Sequence, residues 1–455
     1  MPSIPEQTST NLTFRNGIHP QEHKHLTEHC PIERMPFVDE YTLPLGQHLG
    51  SPSKTLVKKG EAVKRGQKIA DANGFVSVAL HSPVDGVVCD INLFPHPNGQ
   101  AVPCIKIKTD PFSTQVLEEK PPFNLDELDE KGFVTAVQEA GIVGLGGAAF
   151  PAHVKFSIPK DKTCKYIMLN GCECEPFLTA DHRIMVEHAD EIIDGINILQ
   201  KFTKAEKAYI GIEANKPEAI QILRERSATN DFPIEVSVLK VKYPQGAEKM
   251  MISSILGEEV PSGKLPLDLE LLVSNVGTIA VMADYFRKGK PMIERVVTVT
   301  GHAIHRQANI MVPIGTPMRD VVELCGGLTD KAARILLGGP MMGIVQKSLD
   351  TPVIKGTGGI LALTNNEVRE QEIHNCIRCS KCVEACPIFL NPSMMGLLAK
   401  KGIWEEMLEY NIMDCFECAC CSYVCPSNIP LVQNFRVAKG MIREQWAREK
   451  EAENV

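Results

Sequence analysis

The sequence has few aromatic residues, no long hydrophobic run and no cluster of basic residues. Aromatic side chains make up 5% of its 455 residues, and the net charge is −8, which together argue against nucleic acid as the main partner. No uncharged stretch reaches the ~18–20 apolar residues of a membrane-spanning helix. The first residues, MPSIPEQTST, lack the pattern of a signal peptide. We therefore expect a soluble or peripheral protein, cytoplasmic by default, with about two to four domains.

Cysteine, by contrast, is plentiful and unevenly distributed. Nine of the sixteen cysteines lie between Cys376 and Cys425. A cysteine-dense segment in an intracellular chain indicates metal binding, because disulfide frameworks belong to oxidising compartments. The segment contains the run C-x2-C-x2-C-x3-C-P twice, starting at Cys376 and at Cys415. This run is typical of [4Fe–4S] proteins in which the fourth cysteine of each copy ligates the other cluster.

The repeated run therefore predicts two [4Fe–4S] clusters that exchange their fourth ligands. For cluster 1 we predict the ligands Cys376, Cys379, Cys382 and Cys425, and for cluster 2 the ligands Cys415, Cys418, Cys421 and Cys386. Cys420 is out of register and is predicted to be a bystander. Pro387 and Pro426 suit the first turn of a helix, so we expect each fourth cysteine to open one. Two zinc knuckles are the alternative interpretation, which the trailing Cys-Pro of both copies disfavours.

The order of predicted elements indicates a multidomain α/β protein. Residues 1–35 are polar and histidine-rich and favour an extended arm over a metal site. Residues 36–120 consist of short apolar runs cut by Gly and Pro, which predicts a β-rich domain resembling a barrel-sandwich. Residues 121–290 alternate between strand and helix patterns, which predicts a parallel sheet covered by helices. Residues 291–345 resemble a β-grasp module, and residues 346–455 are predicted to be helical around the cysteine motifs.

A glycine loop precedes the first strand of the predicted parallel sheet. It reads GIVGLGGAAFPAHVKF and spans residues 141–156. Gly144, Gly146 and Gly147 allow successive backbone N–H groups to face a phosphate, and Lys155 adds a compact positive charge. By itself the loop is equally compatible with a turn or with helix packing. The stretch NGCECEP, which follows the first predicted strand, lies where open α/β sheets usually contact ligands.

Four short stretches carry a resemblance to a known family. GLGGAAFPAHVKF, NGCECEP, YPQGAE and SNVGT occur in the order and approximate spacing of the FMN- and NADH-binding subunit of respiratory complex I. With GIHPQEHK near the start and the double cluster motif at the end, the chain resembles the RnfC family still more closely. Members of that family are the NADH-facing subunits of ion-translocating Rnf complexes. The resemblance covers nearly the whole chain.

The resemblance implies a function and a set of partners. The chain would be a subunit of a translocase-type ferredoxin:NAD oxidoreductase, with FMN and two [4Fe–4S] clusters as cofactors and NAD(H) as substrate. Its partners would be other Rnf-type membrane and ferredoxin-like subunits, and it would lie peripherally at the cytoplasmic face of the cell membrane. Residues 121–290 would be a Rossmann-like FMN/NADH domain and residues 291–345 an SLBB-like β-grasp module.

The resemblance also implies roles for individual positions. Those at the flavin would be Gly144, Gly146, Gly147, Lys155, Asn170, Glu173, Tyr243, Gly246, Glu248, Asn275 and Thr278. Those at the nicotinamide would be Phe150 and Glu175. The chain departs from the complex I pattern at three positions: Leu145 replaces an arginine, Cys172 an aspartate and Ala247 a glutamate. These changes leave fewer charged contacts for the flavin and the nucleotide.

The expected chemistry requires no acid–base pair. Nicotinamide transfers two electrons as a hydride, an iron–sulfur cluster accepts one, and a flavin can do both. The sequence therefore predicts electron exchange between NADH, FMN and the two clusters. Two alternatives remain: a soluble flavin/iron–sulfur reductase of the corrinoid-reducing type, and a non-enzymatic electron relay without flavin.

Overall fold

The β-rich domain forms two small antiparallel sheets. The computed structural model describes residues 12–118, 120–368 and 371–453, so residues 1–11 of the predicted arm lie outside the described residues. Strand β1 (Ile32–Arg34) precedes this domain, whose own strands are β2 (Glu40–Pro44), β3 (Lys54–Thr55), β4 (Ala62–Val63), β5 (Lys68–Asp71), β6 (Leu80–His81), β7 (Gly86–Pro95) and β8 (Ala101–Thr109). One sheet has the order β2-β8-β7-β4 and the other the order β3-β5-β6. Val88, Ile105 and Ile107 are fully buried in the core.

The central domain is a parallel four-stranded sheet with helices. Its elements are α1 (Glu130–Glu139), α2 (Ala152–Phe156), β9 (Tyr166–Asn170), α3 (Ala180–Glu187), α4 (Ala189–Thr203), β10 (Lys207–Glu213), α5 (Pro217–Ala228), β11 (Ile234–Leu239), α6 (Glu248–Leu256), β12 (Leu271–Asn275) and α7 (Val276–Lys288). The strand order is β11-β10-β9-β12. The chain thus builds outward from β9 on one side and then returns to add β12 on the other. This reversal creates a topological switch point between β9 and β12.

A six-stranded sheet follows, and it includes a strand from the N-terminal segment. Its further elements are β13 (Glu294–Thr300), β14 (Ala308–Pro313), α8 (Met318–Leu324), β15 (Ala332–Leu337), β16 (Ile344–Val345) and β17 (Gly359–Thr364). The order is β1-β14-β13-β17-β15-β16, so β1 pairs in parallel with β14. The described part of the predicted N-terminal arm is therefore built into the body of the protein.

From residue 381 onward the C-terminal region is helical, whereas β17, which lies in the range 346–455 predicted to be helical, belongs to the six-stranded sheet. The helices of this region are α9 (Lys381–Ala385), α10 (Pro392–Lys401), α11 (Glu406–Glu409), α12 (Cys420–Tyr423) and α13 (Leu431–Glu453). A short 3-10 turn in this region spans Ile412–Asp414, and two others, earlier in the chain, span Lys24–Leu26 and Pro266–Leu269. Within the described ranges, none of the helices combines the length and the apolar character needed to cross a membrane.

The prediction that each fourth cysteine opens a helix is wrong. Cys386 directly follows the end of α9, and Cys425 follows α12, whereas the next helices begin only at Pro392 and Leu431. The cause is local, because a residue that precedes proline is disfavoured in the α conformation. Cys386 accordingly has extended angles, with φ −69° and ψ 115°.

Candidate functional site

The predicted flavin residues meet at the switch point of the parallel sheet. Asn170 and Asn275 are direct partners in register at the carboxyl ends of β9 and β12. The glycine loop reaches the same place, since the backbone N–H of Leu145 donates to Oγ1 of Thr278 at 2.9 Å. A Cβ on Gly146 would lie 3.7 Å from the side-chain nitrogen of Asn275. Open α/β sheets bind their ligands at this position.

The N-terminus of α7 lies at the same edge of the sheet. The side-chain oxygen of Asn275 accepts hydrogen bonds from the N–H groups of Gly277 at 2.9 Å and Thr278 at 3.2 Å. Asn275 is therefore the N-cap of α7, which holds the start of this helix at the edge of the sheet. A helix N-terminus beside a glycine loop favours a phosphate group, because its N–H groups and dipole point outward.

The conformation of the glycine loop also suits a ligand. Gly144 donates its N–H to the carbonyl of Phe150 at 2.8 Å, which closes the loop. Gly147 has φ +110°, where a side chain would be strained, and a Cβ there would meet no atom of the described residues within 4 Å. Position 147 therefore requires glycine for its backbone conformation, and the outer face of the loop is open.

Lys155 and Glu248 are paired with each other. The Lys155 Nζ lies 3.1 Å from Oε2 of Glu248 and donates to the carbonyl of Val273 at 3.3 Å. Both side chains are about one-third exposed, so the pair lies at an accessible edge. The structure thus brings two predicted flavin residues together, and the carboxylate of Glu248 partly neutralises the positive charge of Lys155.

The NGCECEP and YPQGAE stretches are joined by hydrogen bonds. The side-chain amide of Asn170 donates to the carbonyl of Gly246 at 2.7 Å, and its oxygen accepts the N–H of Cys172 at 3.1 Å. The N–H of Gly246 points to the sulfur of Cys174 at 3.2 Å. Tyr243, three residues earlier, is buried. These contacts fix both stretches at the carboxyl edge of the sheet.

Glu173 acts within this structure as a cap for α3. Its carboxylate accepts the N–H groups of Asp181 at 2.8 Å and His182 at 3.0 Å. Asp181 in turn accepts from the side-chain amide of Asn275 at 2.7 Å. Burial, and then the charge of Glu173, raise the pKa of Asp181 to about 7. The fully buried Arg295 lies close enough to attract both carboxylates.

The two predicted nicotinamide residues make their hydrogen bonds to different parts of the chain. Phe150 belongs to the glycine loop, where its carbonyl accepts from Gly144. The carboxylate of Glu175 instead accepts the N–H groups of Met341 at 3.1 Å and Met342 at 2.8 Å, which follow β15. Burial raises the pKa of Glu175 to about 7. The structure therefore directs Glu175 toward the six-stranded sheet.

Sequence reasoning missed several buried charges around this site. Asp181 and Arg295 carry no motif, and their role depends on contacts with distant residues. Lys216 is also fully buried, and its Nζ donates to the carbonyl of Cys172 at 2.6 Å beneath the NGCECEP stretch. Lys24 lies in GIHPQEHK, one of the stretches that carry the family resemblance. That resemblance is the only feature of the sequence that could have indicated a role for Lys24.

The cluster cysteines line two separate cavities. One is lined by Cys376, Cys379, Cys382 and Cys425, and the other by Cys386, Cys415, Cys418 and Cys421. The structure thus gathers the cysteines in the crossed groups predicted from the repeated run. Four thiols around each cavity fit the donor set of a [4Fe–4S] cluster. Cys420 also borders the second cavity, beside Cys418.

The surroundings of the two cavities differ. Cys418 and Cys420 pack in one apolar cluster with Tyr243, Cys174 and Ile18, so the cluster 2 cavity adjoins the predicted flavin segments. The cluster 1 cavity opens to the surface, where Cys379 is exposed.

Family comparisons match four consecutive parts of the chain. Residues 12–111 match the RnfC barrel sandwich hybrid domain, and residues 137–284 match the Nuo51 FMN-binding domain. Residues 296–345 match the SLBB domain, and residues 372–429 match a 4Fe-4S dicluster domain. These matches confirm the predicted fold class and the predicted cofactors, FMN and two [4Fe–4S] clusters.

Three curated relatives, all of them C subunits of ion-translocating complexes, are similar over almost the full length of the chain. The chain is 44% identical over 439 residues to the relative from the proton-translocating ferredoxin:NAD(+) oxidoreductase complex of Clostridium ljungdahlii, covering 96% of each chain. It is 42% identical to the relative from the Na(+)-translocating ferredoxin:NAD(+) oxidoreductase complex of Acetobacterium woodii, covering 95% of this chain and 98% of the relative. The relative from the ion-translocating oxidoreductase complex of Rhodobacter capsulatus is 40% identical, with coverage of 96% and 85%.

Proposed function

Because the chain belongs to the family of C subunits of ion-translocating ferredoxin:NAD(+) oxidoreductase complexes, we propose that it is the subunit at which NAD(H) exchanges electrons with two iron–sulfur clusters. The observation that carries this proposal is the juxtaposition of two sites in one chain. The cavity of cluster 2 shares an apolar contact with Tyr243 and Cys174, which belong to the segments around the flavin site. The proposed flavin site and the two iron–sulfur clusters would thereby be connected within one polypeptide.

The residues at the switch point would bind and orient FMN. The glycine loop and the start of α7 would receive the phosphate, with Lys155 as the nearby cation. Asn170 and Asn275, which are partners in register, would contact the flavin from the sheet edge. When bound, FMN supplies a centre that exchanges two electrons with nicotinamide and single electrons with a cluster. The surrounding protein would exclude water and hold the nicotinamide against the loop that contains Phe150.

We propose that cluster 2 lies next to the flavin and that cluster 1 lies at the outer end of the electron-transfer path. Cys386 and Cys421 of cluster 2 are buried, and Cys418 packs in the apolar cluster that contains Tyr243. Cys379 of cluster 1 is exposed. Electrons from NADH would therefore reach cluster 2 before cluster 1, and electrons from a partner would take the reverse path.

The face around cluster 1 suits an acidic electron-transfer partner. Arg378 and Lys400 line this cavity, and the described residues of its lining include no carboxylate. Ile373, Ile377 and Leu397 on the same lining are exposed apolar side chains. We propose that a ferredoxin-like subunit of the complex docks here, and that the chain lies peripherally at the cytoplasmic face of the cell membrane beside the membrane subunits.

The proposed function is tested on the protein purified without oxygen. Iron, sulfide and FMN are measured first, with about eight irons per chain expected for two [4Fe–4S] clusters. NADH is then added while flavin bleaching and cluster absorbance are followed. Rapid bleaching followed by cluster reduction supports the proposal. A full iron content without bound flavin or any response to NADH would contradict it.

The alternative of a soluble corrinoid-reducing type of reductase is not favoured. The relatives named above are subunits of ion-translocating complexes, and their similarity extends over almost the whole chain. The match of residues 12–111 to the RnfC barrel sandwich hybrid domain includes the N-terminal region. Co-purification with membrane subunits is the corresponding test.

A further inference from the structure

One short N-terminal segment, residues 16–24, touches both the flavin segments and the cluster domain. We call it the strap. Its centre forms an antiparallel bridge with the YPQGAE stretch, because Ile18 and Tyr243 exchange two backbone hydrogen bonds of 2.9 Å. Just before the strap, the carbonyl of Leu12 accepts the N–H of Lys240 at 2.9 Å. The strap therefore continues a path that begins along the end of β11.

The first residues of the strap hold the backbone of a cluster 2 ligand. The side-chain amide of Asn16 donates to the carbonyl of Cys386 at 3.0 Å. The N–H of Gly17 donates to the carbonyl of Ala385 at 3.2 Å. Both contacts span about 370 residues of sequence, so they tie the beginning of the chain to its last domain.

Gly17 leaves no room for a side chain. It has φ +81°, and a Cβ there would lie 2.7 Å from the carbonyl oxygen of Tyr243 and 2.9 Å from the ring of Phe14. A side chain at this position would be strained and would push the strap away from Tyr243. The close approach of the strap to the flavin segment therefore depends on glycine.

The last residue of the strap holds the other flavin segment. Lys24 is 4% exposed, and its Nζ donates to the carbonyls of Glu173 at 2.7 Å, Glu175 at 3.0 Å and Leu178 at 2.6 Å. An ammonium group has three donors, and all three are used here. Lys24 thus fixes the backbone that follows β9, on which two predicted cofactor-contact residues lie.

We propose that the strap fixes the spacing between the flavin site and cluster 2 and thereby sets the rate of electron transfer between them. The proposal rests on the proposed function. Domains joined by modest interfaces move relative to each other by default, and electron transfer slows steeply as the distance between two centres grows. Direct bonds from one segment to Cys386, Tyr243 and the Glu173 backbone restrict that motion. Residues of the strap are positioning residues, because none of them is a predicted cofactor contact.

The test compares three variants of the full-length protein loaded with its cofactors. Asn16→Gly removes the amide donor, and glycine still accepts the positive φ of 63° found at Asn16. Gly17→Ala introduces the Cβ that the strap cannot accommodate. His19→Ala changes an exposed residue of the same strap and serves as the matched control.

Three quantities are measured for each variant: the iron content, the rate of flavin bleaching by NADH and the rate of cluster reduction that follows. Amide hydrogen exchange of the peptides containing Ala385–Cys386 and Tyr243–Gly246 gives a readout independent of turnover. Because electron transfer slows steeply with distance, we expect a severalfold slower cluster reduction and faster exchange in Asn16→Gly and Gly17→Ala, with unchanged bleaching and iron. His19→Ala should match the parent protein.

The outcomes separate the strap from the function on which it rests. If NADH does not bleach the parent protein, the proposed function fails. If the parent protein responds and Asn16→Gly reduces its clusters at the parental rate, the strap proposal is overturned. Loss of iron from Asn16→Gly would also overturn it, because Asn16 would then support cluster assembly and not spacing.

Discussion

The two cysteine motifs have the same spacing, and their surroundings differ almost completely. The cavity of cluster 2 is lined by the buried Cys386 and Cys421 and by the half-buried Cys415 and Cys418, and it adjoins Tyr243 and Cys174. The cavity of cluster 1 is edged by the exposed Cys379 and by the cations Arg378 and Lys400. The motif determines which cofactor is bound, whereas the neighbours of each copy determine what that cofactor exchanges electrons with. Substitutions in the motifs and in their neighbours should therefore have separable effects.

The largest expected effect comes from removing a ligand. Cys376→Ala and Cys425→Ala should each lose the same cluster, with a loss of about four of the eight irons, because both residues line one cavity. Electron paramagnetic resonance of the reduced variants identifies the missing signal. Loss of different signals would contradict the exchange of fourth ligands. Cys420→Ala is the matched control and should retain both signals.

Charge reversal at the cluster 1 face should affect exchange with an external partner. Electrostatic steering changes association rates by about 10-fold or more at low salt. Arg378→Glu combined with Lys400→Glu should therefore slow reduction by an acidic ferredoxin, and the effect should shrink as salt is added. Reduction of cluster 2 by NADH should stay unchanged. Lys131→Glu, an exposed site on α1, is the control, and equal slowing there would contradict a docking role.

Removing the buried ammonium group of Lys24 should destabilise the segments around the proposed flavin site. Lys24→Met leaves three carbonyls without their donor, and each unsatisfied buried group costs about 1–3 kcal/mol. We expect a lower thermal midpoint and weaker retention of FMN, measured by thermal unfolding and by flavin release. Lys131→Met serves as the exposed control. Cluster 1 signals should persist, and their selective loss in Lys24→Met would contradict the assignment.

A smaller effect is expected from pH at Lys355. Burial lowers the pKa of this lysine to about 7, and its Nζ donates to the carbonyls of Ala79 at 3.0 Å and Gly141 at 2.6 Å. Between about pH 7 and about pH 10 the unfolded chain binds a proton that the folded chain does not, so stability should rise with pH across this window. Lys355→Met should lack this contribution.

The measurement for Lys355 is the difference in thermal midpoint between the parent protein and Lys355→Met. This difference should move in favour of the parent protein from about pH 7 to about pH 9. A difference that is constant with pH would contradict the low pKa. Lys131→Met again provides a control, because its exposed ammonium should show no such trend.

The features predicted from sequence were those set by short-range pattern. The strands around Ile167 and Ile210 were visible as apolar runs, and the cysteine spacing predicted which thiols share a cavity. The glycine loop and SNVGT, which contains Asn275, were recognisable because each depends on a few adjacent residues. The alternation of strands and helices predicted a parallel sheet, and the structure places these segments at the switch point of that sheet.

The features that the sequence did not predict depend on contacts between distant residues. Lys24 finds its acceptors about 150 residues away, and no local pattern encodes that partnership. Glu175 lies within the predicted ligand stretch NGCECEP, yet its carboxylate accepts hydrogen bonds from Met341 and Met342. The helix expected to open at Cys386 is absent for a local reason instead, because a residue that precedes proline prefers extended angles.

The most direct test of the account is the order in which the clusters are reduced. Cys421→Ala, which lacks a ligand of cluster 2, and Cys425→Ala, which lacks one of cluster 1, are mixed rapidly with NADH and frozen for paramagnetic resonance. We predict parental reduction of cluster 2 in Cys425→Ala and an oxidised cluster 1 in Cys421→Ala, with flavin bleaching in both. Rapid reduction of cluster 1 in Cys421→Ala would contradict the proposed order.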